Sequence, residues 1–218
     1  MKLVIIFVLF LHWRSILCHR LTTHFILRFY LKQLKTYISI LKGINVGGHR
    51  RILMEDLKKL FSALNLCNAV TYIQSGNVVF NTGKEDFPSG IAEKIALKIK
   101  EKYGFEVPLI VRTIQQWKNI VSKNPFLVKK NADPEKCYVV FFFEKPDDNY
   151  IEKIKDIKFV PDEFVITEQE AFLYIPGQYR ESKLSCDFFE KNLKVKASCR
   201  NWKTVLALEA LAEKNAEV

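Results

Sequence analysis

The chain has 218 residues, of which 49% are hydrophobic, 13% aromatic and 27% charged. A chain with this share of apolar residues can bury enough surface to offset the entropy lost on folding, which excludes intrinsic disorder. Its 8 Gly and 7 Pro are too few for a collagen-like or low-complexity architecture. The net charge of +10 is uneven: residues 1–54 hold nine Lys and Arg and no acid, whereas the remaining 164 residues hold 25 basic and 24 acidic residues.

The first predicted feature is an apolar and basic N-terminal extension, residues 1–35. Lys2 precedes nine consecutive apolar residues, 3–11, in the manner of a signal peptide. This run is shorter than the roughly 20 apolar residues that cross a bilayer, so we predict no stable membrane span. The bulky, basic residues 12–20 offer no cleavage site. Three interpretations stay open: an export signal, an interfacial membrane-associated segment through residues 1–20, and translation from a start codon ahead of the domain.

The stretch 36–112 predicts a first subdomain in the order β-α-β-β-α-β. Its apolar residues alternate in the strands and recur every three to four residues in the helices. The tight turn Ser75–Asn77 separates the second and third strands. The predicted strands are 37–41, 70–74, 78–80 and 107–111, and the predicted helices are 54–64 and 87–103.

The stretch 113–135 predicts a connector, and 136–218 a second subdomain of the same order with a C-terminal helix. Thr113 and Gln116 form a capping-box pattern for a helix over 114–121, which Asn124 and Pro125 end. Asn201 is the predicted cap of the closing helix from residue 202. We therefore predict an α+β fold of two tandem ferredoxin-like subdomains plus a C-terminal helix. The second subdomain's predicted strands are 136–143, 164–167, 172–175 and 195–198, and its helices are 149–157 and 184–193.

The strand 138–143 is apolar on both faces, which is typical of a strand covered on both sides. RNA-recognition modules of this topology instead display aromatic side chains on an open sheet face. We therefore expect Phe141, Phe142, Phe172 and Tyr174 to be core residues, and an RNA reader of that type is disfavoured.

The loop 43–51, with the sequence GINVGGHRR, is the strongest candidate for chemistry. Its glycines and Asn45 permit positive φ, which turns backbone N–H groups toward an anion, and Arg50 and Arg51 add charge. The spacing of Gly43 and Gly48 approaches that of a P-loop, but His49 and Arg50 stand where Lys and Ser or Thr belong, so a Walker ATP site is excluded. An ordinary glycine turn with solvated basic residues stays the alternative.

Polar and basic residues in other loops complete the candidate ligand site. The hairpin tip 74–77 supplies amide and hydroxyl groups, and several basic side chains could face the same ligand. A self-bonded turn and a charged rim explain these residues equally well. The candidate ligand-binding residues are Gly43, Asn45, Gly47, Gly48, Arg50, Arg51, Gln74, Ser75, Asn77, Arg112, Lys183, Arg200, Asn201 and Trp202.

Cysteine and histidine usage limits the other site classes. The five cysteines are scattered, odd in number and without a CxxC pair, which favours free thiols and a reducing compartment. His49 is the only histidine after residue 35, so a multi-histidine metal site in the body is excluded. We predict no metal and no cofactor, and no residue stands out as catalytic.

Several sequence blocks together resemble the signature blocks of the DUF1697 family, a bacterial domain of unknown function. They are YISILKGINVGG at 37–48, TYIQSGNVVF at 71–80, EVPLIVRT at 106–113, NPF at 124–126, SKL at 182–184 and RNW at 200–202. The resemblance implies a cytoplasmic α+β unit of two related subdomains, and no established reaction, cofactor or catalytic residue. The chain departs from the family at His49, where members usually have Lys, and in its N-terminal extension.

Three functional hypotheses follow. The first is a binding module in which the loop at 43–48 holds an anionic or phosphate-bearing ligand, a nucleotide or nucleic acid. The second is a small-molecule enzyme with a pocket between the subdomains, lined by Asn45, Gln74, Ser75, Asn77, Asn201 and Trp202. The third is a structural or interaction role. The sequence decides neither turnover nor oligomeric state.

Overall fold

A computed structural model of the chain describes residues 34–83 and 87–217. Residues 1–33 of the predicted N-terminal extension lie outside the described residues, so its three interpretations stay predictions.

The first half contains four strands and two helices in the predicted order. Helix α1 buries Leu57, Leu60 and Phe61 on one face, as its 3.6-residue period predicts. The strands pair antiparallel in the order β2-β3-β1-β4. The elements are β1 (Lys35–Leu41), α1 (Met54–Ala63), β2 (Cys67–Tyr72), β3 (Asn77–Thr82), α2 (Pro88–Tyr103) and β4 (Leu109–Thr113).

The second half repeats this order after two connecting helices. Its four strands also pair antiparallel, in the order β6-β7-β5-β8. The predicted α+β class is therefore confirmed, with two four-stranded antiparallel sheets. The elements are α3 (Ile114–Ser122), α4 (Pro125–Lys130), β5 (Cys137–Phe142), α5 (Asp148–Ile154), β6 (Glu163–Ile166), β7 (Glu170–Tyr174), α6 (Cys186–Leu193), β8 (Ala197–Asn201) and α7 (Trp202–Ala216).

Several predicted bounds were wrong for local reasons. Strand β2 begins at Cys67, which pairs with Asn81, and it ends before Ile73, whose φ of 50° takes the chain into the turn. Strand β8 runs on to Asn201 because its pairing with β5 continues to that residue. Phe87, which the helical pattern assigned to α2, is the exposed residue before the first turn. The short helix α4, with Asn124 as its cap, was not predicted.

The core lies in three apolar layers. Helices α1 and α2 cover one face of the first sheet, and α5 and α6 cover one face of the second. Between the sheets lies a middle layer made of α3, α4 and α7, which packs on the remaining face of each. This arrangement gives both halves a shared core.

Strand β5 shows why this layer forms. Its side chains at Val139 and Phe141 face the middle layer, whereas those at Val140 and Phe142 face the outer layer, and all four are buried. Trp117 of α3 stacks on Phe141 with ring centroids 5.1 Å apart. The prediction that this strand is covered on both sides is confirmed.

Candidate functional site

The glycine loop, residues 42–53 between β1 and α1, is held in place by the side chain of Asn45. The Asn45 amide nitrogen donates to the carbonyl oxygens of Ile52 and Gln74, each at 3.0 Å, and its oxygen accepts from the Ile52 N–H at 2.9 Å. Asn45 therefore ties both ends of the loop together and fastens it to the β2–β3 hairpin. Its side-chain amide has little capacity left for a ligand.

The middle of this loop presents backbone donors. Gly47 and Gly48 are consecutive left-handed residues with φ of 58° and 80°, a conformation that strains a residue with a Cβ atom. In the part of the chain that the structure describes, the N–H groups of Gly48 and Arg51 have no hydrogen-bond acceptor. Unbonded backbone N–H groups in a glycine-rich turn are donors that an anion can use.

A small cavity opens between the loop, the hairpin and the start of α1. It has a volume of about 280 Å³, and we call it the glycine-loop pocket. Its boundary includes Leu53, the residue before α1, which is extended and makes no side-chain cap. The first N–H groups of α1 therefore have no side-chain cap, and Met54, the first residue of this helix, lines the pocket. The lining residues are Asn45, Gly48, Arg51, Ile52, Leu53, Met54 and Gln74.

The charge around the glycine-loop pocket favours anions at its rim. His49, Arg50 and Arg51 are exposed on the loop. The first turn of α1 carries Glu55 and Asp56, as predicted. The hydrogen bond and charge of Lys58 lower the pKa of Glu55, so this carboxylate is ionised and has its own counter-charge 2.8 Å away. Asp56 lies 4.0 Å from Lys59, and no carboxylate of the described residues pairs with Arg50 or Arg51.

The hairpin tip belongs to a second, partly buried arrangement centred on Arg200. The Arg200 guanidinium donates to the Asn77 side-chain oxygen at 2.6 Å, the Ser198 hydroxyl at 2.7 Å and the Ser75 carbonyl at 3.1 Å. It also reaches the carbonyls of Cys199 and Leu41. Every acceptor is neutral, and no carboxylate pairs with Arg200 anywhere in residues 34–83 and 87–217.

This arrangement joins the two halves of the molecule. Arg200 lies on β8, whereas Leu41, Ser75 and Asn77 belong to the first half. Burial lowers the pKa of Arg200 to about 10, which leaves the side chain charged at neutral pH. Because its donors are used within the protein, Arg200 has a structural role as a bridge between the halves.

The hairpin turn itself depends on Gly76. Its φ is 78°, and a Cβ atom there would lie 2.7 Å from the Cβ of Leu41. The hairpin thus packs directly on the end of β1, which keeps Gln74 against the glycine loop.

The remaining candidate residues lie elsewhere. Trp202 is buried in the middle layer, and Asn201 caps α7 by accepting from the Thr204 N–H at 2.9 Å. Lys183 is exposed before α6. Arg112 lines a separate cleft between the two halves.

The last two candidate residues, Gly43 and Arg50, belong to the glycine loop but do not line its pocket. Both are left-handed, with φ of 68° and 47°.

The structure therefore separates the residues that the sequence grouped. Asn45, Gly48, Arg51 and Gln74 line one pocket, whereas Ser75, Asn77 and Arg200 bond to one another. Of the six residues predicted to line an enzyme pocket between the subdomains, Asn45 and Gln74 line the glycine-loop pocket together.

Leu53 and Met54, which form the apolar and helical wall of the pocket, were not among the predicted site residues. The signal was available, since Leu53 precedes the first turn of α1 where a capping side chain is usual. The cleft at Arg112 was not predicted either, although a charged residue that ends the apolar run LIVR was visible.

The four cysteines of the described residues are free thiols. Burial and the charge of Asp133 raise the pKa of Cys137 to about 11, so it is protonated at neutral pH. The hydrogen bond between Cys186 and Cys199 lowers the pKa of Cys199 and raises that of Cys186.

The described residues contain neither a metal-ligand cluster nor a membrane-spanning helix. No group of three or more His, Cys, Asp or Glu side chains there could hold a metal ion. None of the helices in that same part of the chain combines the length and apolar character needed to cross a membrane.

Comparison with known proteins places these features in a family. A family model with the description "Protein of unknown function (DUF1697)" matches residues 34–172, which confirms the resemblance found in the sequence. A solved structure of a conserved bacterial protein from Streptococcus pneumoniae is similar, with 19% identity and a TM-score of 0.66. The match covers 82% of this chain and 99% of that one, and at this identity it shows a shared fold alone. No curated protein matches the chain.

Proposed function

The chain belongs to the DUF1697 family, and from this premise we propose that its glycine-loop pocket binds the phosphate group of an anionic small molecule. The family description names no activity, so the proposal rests on the chemistry of the pocket.

The observation that carries the proposal is that residues with unbonded backbone donors and the first residue of α1 line the same pocket. The N–H groups of Gly48 and Arg51 are unpaired within the described residues, and the uncapped first turn of α1 begins at the neighbouring Met54. A helix N-terminus carries a partial positive charge and favours phosphate groups. The guanidinium of Arg51 adds a full charge at the same pocket.

The size of the pocket indicates which part of a ligand it would enclose. About 280 Å³ accommodates a phosphate with its attached sugar, whereas a complete nucleotide would extend beyond the rim. Arg50 and His49 are exposed outside the lining, where they could meet further phosphates. A nucleotide and a short oligonucleotide both carry the phosphate groups that this pocket and its rim would bind. The titration described next distinguishes between them.

The test is titration of the protein with tripolyphosphate, ATP and a 12-nucleotide RNA at low salt, followed by calorimetry and melting temperature. A ligand specific to the folded state raises the melting temperature. Arg51→Ala should weaken binding about tenfold, because it removes one charge-assisted hydrogen bond. Lys129→Ala, which removes an exposed charge on α4, is the matched control and should bind as the wild type does.

Two outcomes would overturn this function. One is that none of the three phosphate compounds shifts the wild-type melting temperature. The other is that Arg51→Ala and Lys129→Ala bind equally well. A strong salt dependence for RNA with no binding of ATP would assign the pocket to nucleic acid.

We also propose that each half is a ferredoxin-like subdomain, with bounds 36–112 and 136–218 and the connector 113–135. The support is the repeated order β-α-β-β-α-β and the matching strand orders β2-β3-β1-β4 and β6-β7-β5-β8. The free thiols support the proposed cytoplasmic location.

A further inference from the structure

Two cysteines of the second half lie side by side. Cys186 is the first residue of α6, and Cys199 lies on β8, where it pairs with Val140 of β5. Both cysteines pack against the outer apolar layer of the second sheet, and both are partly exposed. Their thiols share a hydrogen bond. Neither cysteine lines the glycine-loop pocket, so the proposed phosphate site does not use them.

Helix α6 and strand β8 hold the pair in position through Glu190. This residue is one turn after Cys186, and its carboxylate accepts from the Ala197 N–H at 2.6 Å. Ala197 in turn is two residues before Cys199, on the same side of β8. Lys42 of the first half donates to the same carboxylate and, at 3.0 Å, to the Ala197 carbonyl. The side of α6 that carries Cys186 is therefore fixed against the side of β8 that carries Cys199.

The surroundings of Cys199 favour its thiolate form. Cys199 accepts hydrogen bonds from the Cys186 thiol and from the Tyr179 hydroxyl. These bonds, together with the charge of Arg200, lower the pKa of Cys199, although burial opposes the shift. Tyr138 stacks on Tyr179 with ring centroids 4.6 Å apart and so holds the hydroxyl donor in place. The thiolate is the nucleophilic form of cysteine, so Cys199 is the nucleophile of the pair.

The other two cysteines of the described residues lack this arrangement. Cys137 is buried, its thiol donates to the Asp133 carbonyl, and its raised pKa keeps it protonated at neutral pH. Cys67 is exposed, and its thiol faces the Asn65 carbonyl. A cysteine with a lowered pKa, partial exposure and a second thiol beside it is typical of redox-sensing sites.

We propose that Cys186 and Cys199 form a redox-active dithiol site, which a peroxide oxidises to an intramolecular disulfide. The Cys199 thiolate attacks one oxygen of hydrogen peroxide, the O–O bond breaks, and the released hydroxide takes up a proton and leaves as water. The sulfur of Cys199 is then a sulfenic acid. The Cys186 sulfur attacks it, the S–O bond breaks, and a second water leaves as the disulfide forms. The two sulfur atoms are oxidised together, and the peroxide is reduced to water.

The test treats the full chain with one equivalent of hydrogen peroxide at pH 7, followed by intact-mass measurement and peptide mapping without reduction. We expect the wild type to lose the mass of two hydrogen atoms and to yield a linked peptide pair that contains Cys186 and Cys199. Dithiothreitol should reverse both changes, because thiol–disulfide exchange returns the pair to its reduced form.

Serine variants assign the two roles. Cys186→Ser should stop at the sulfenic acid of Cys199, which dimedone traps as a covalent adduct. Cys199→Ser should react with peroxide about tenfold more slowly, because it removes the stabilised thiolate. Cys67→Ser removes an exposed cysteine outside the pair and is the matched control, so it should form the linked peptides as the wild type does. The wild-type peptide map needs no substitution, so it tests the site even where a serine variant fails to fold.

The proposal would be overturned if peroxide left the wild type unchanged, or added oxygen atoms without linking Cys186 to Cys199. A disulfide that joins other cysteines in place of this pair would also overturn it. Formation of the same linked product at the wild-type rate in Cys186→Ser or Cys199→Ser would do so as well.

Discussion

Arg200 was predicted to bind a ligand, whereas in the structure it joins the two halves of the molecule. Its charge placed it among the candidate ligand-binding residues. Its acceptors on Asn77 and Leu41 are 123 and 159 positions away in the chain, so no local pattern could indicate that they surround it. The cost of desolvating the guanidinium is offset by hydrogen bonds to these groups.

We predict that Arg200→Met lowers the free energy of unfolding by about 3 kcal/mol, because it leaves buried acceptors on Asn77 and Ser75 without a donor. Urea denaturation at pH 7 measures this difference. The control, Arg180→Met, alters an exposed residue and should change stability by no more than about 0.5 kcal/mol. Equal stability of the two variants would show that Arg200 is not a structural bridge.

At the scale of single elements, local capping signals were reliable. The predicted capping box of α3 is present, with the Gln116 N–H bonded to the Thr113 hydroxyl at 3.1 Å and the Thr113 N–H bonded to the Gln116 side chain at 2.9 Å. Asn201 caps α7 as predicted. These bonds join residues three positions apart, so the sequence contains all the information they need.

Asn201 caps α7 and was also a candidate ligand-binding residue, and two substitutions distinguish these roles. Asn201→Ala should cost about 1 kcal/mol in unfolding free energy, because the Thr204 N–H loses its acceptor, and Asn201→Asp should retain the stability. Urea denaturation measures the stability, and titration with ATP measures ligand affinity. A change in ATP affinity in the Asp variant, with stability retained, would instead support a ligand role.

For the molecule as a whole, the middle layer decides how the halves behave. Helix α7 packs on β1 and β3 of the first sheet and on β5 and β8 of the second. Trp117 donates from its ring nitrogen to the Val205 carbonyl at 3.0 Å, which joins α3 to α7 inside this layer. Because one set of side chains covers both sheets, neither half has a complete core alone.

We therefore predict that the halves unfold in a single transition. Leu208→Ala, in the middle layer, should cost about 2–5 kcal/mol and increase hydrogen exchange in β1 and β5 to the same extent. Leu206→Ala, on the same helix but 41% exposed, is the matched control and should have a much smaller effect. Faster exchange in β5 with unchanged β1 would show that the halves are independent.

The sequence by itself determined the order of the strands and of the longer helices, the caps of α3 and α7, the two-sided burial of β5 and the family. Each of these depends on residue spacing within one strand, turn or helix, or on short motifs read in order. The tertiary structure decided which polar residues meet. It placed Arg200 against acceptors of the first half, Arg51 and Gln74 at one pocket, and Arg112 4.0 Å from Glu170. These meetings join residues tens to more than a hundred positions apart, and they exist only because two sheets pack on one shared layer of helices.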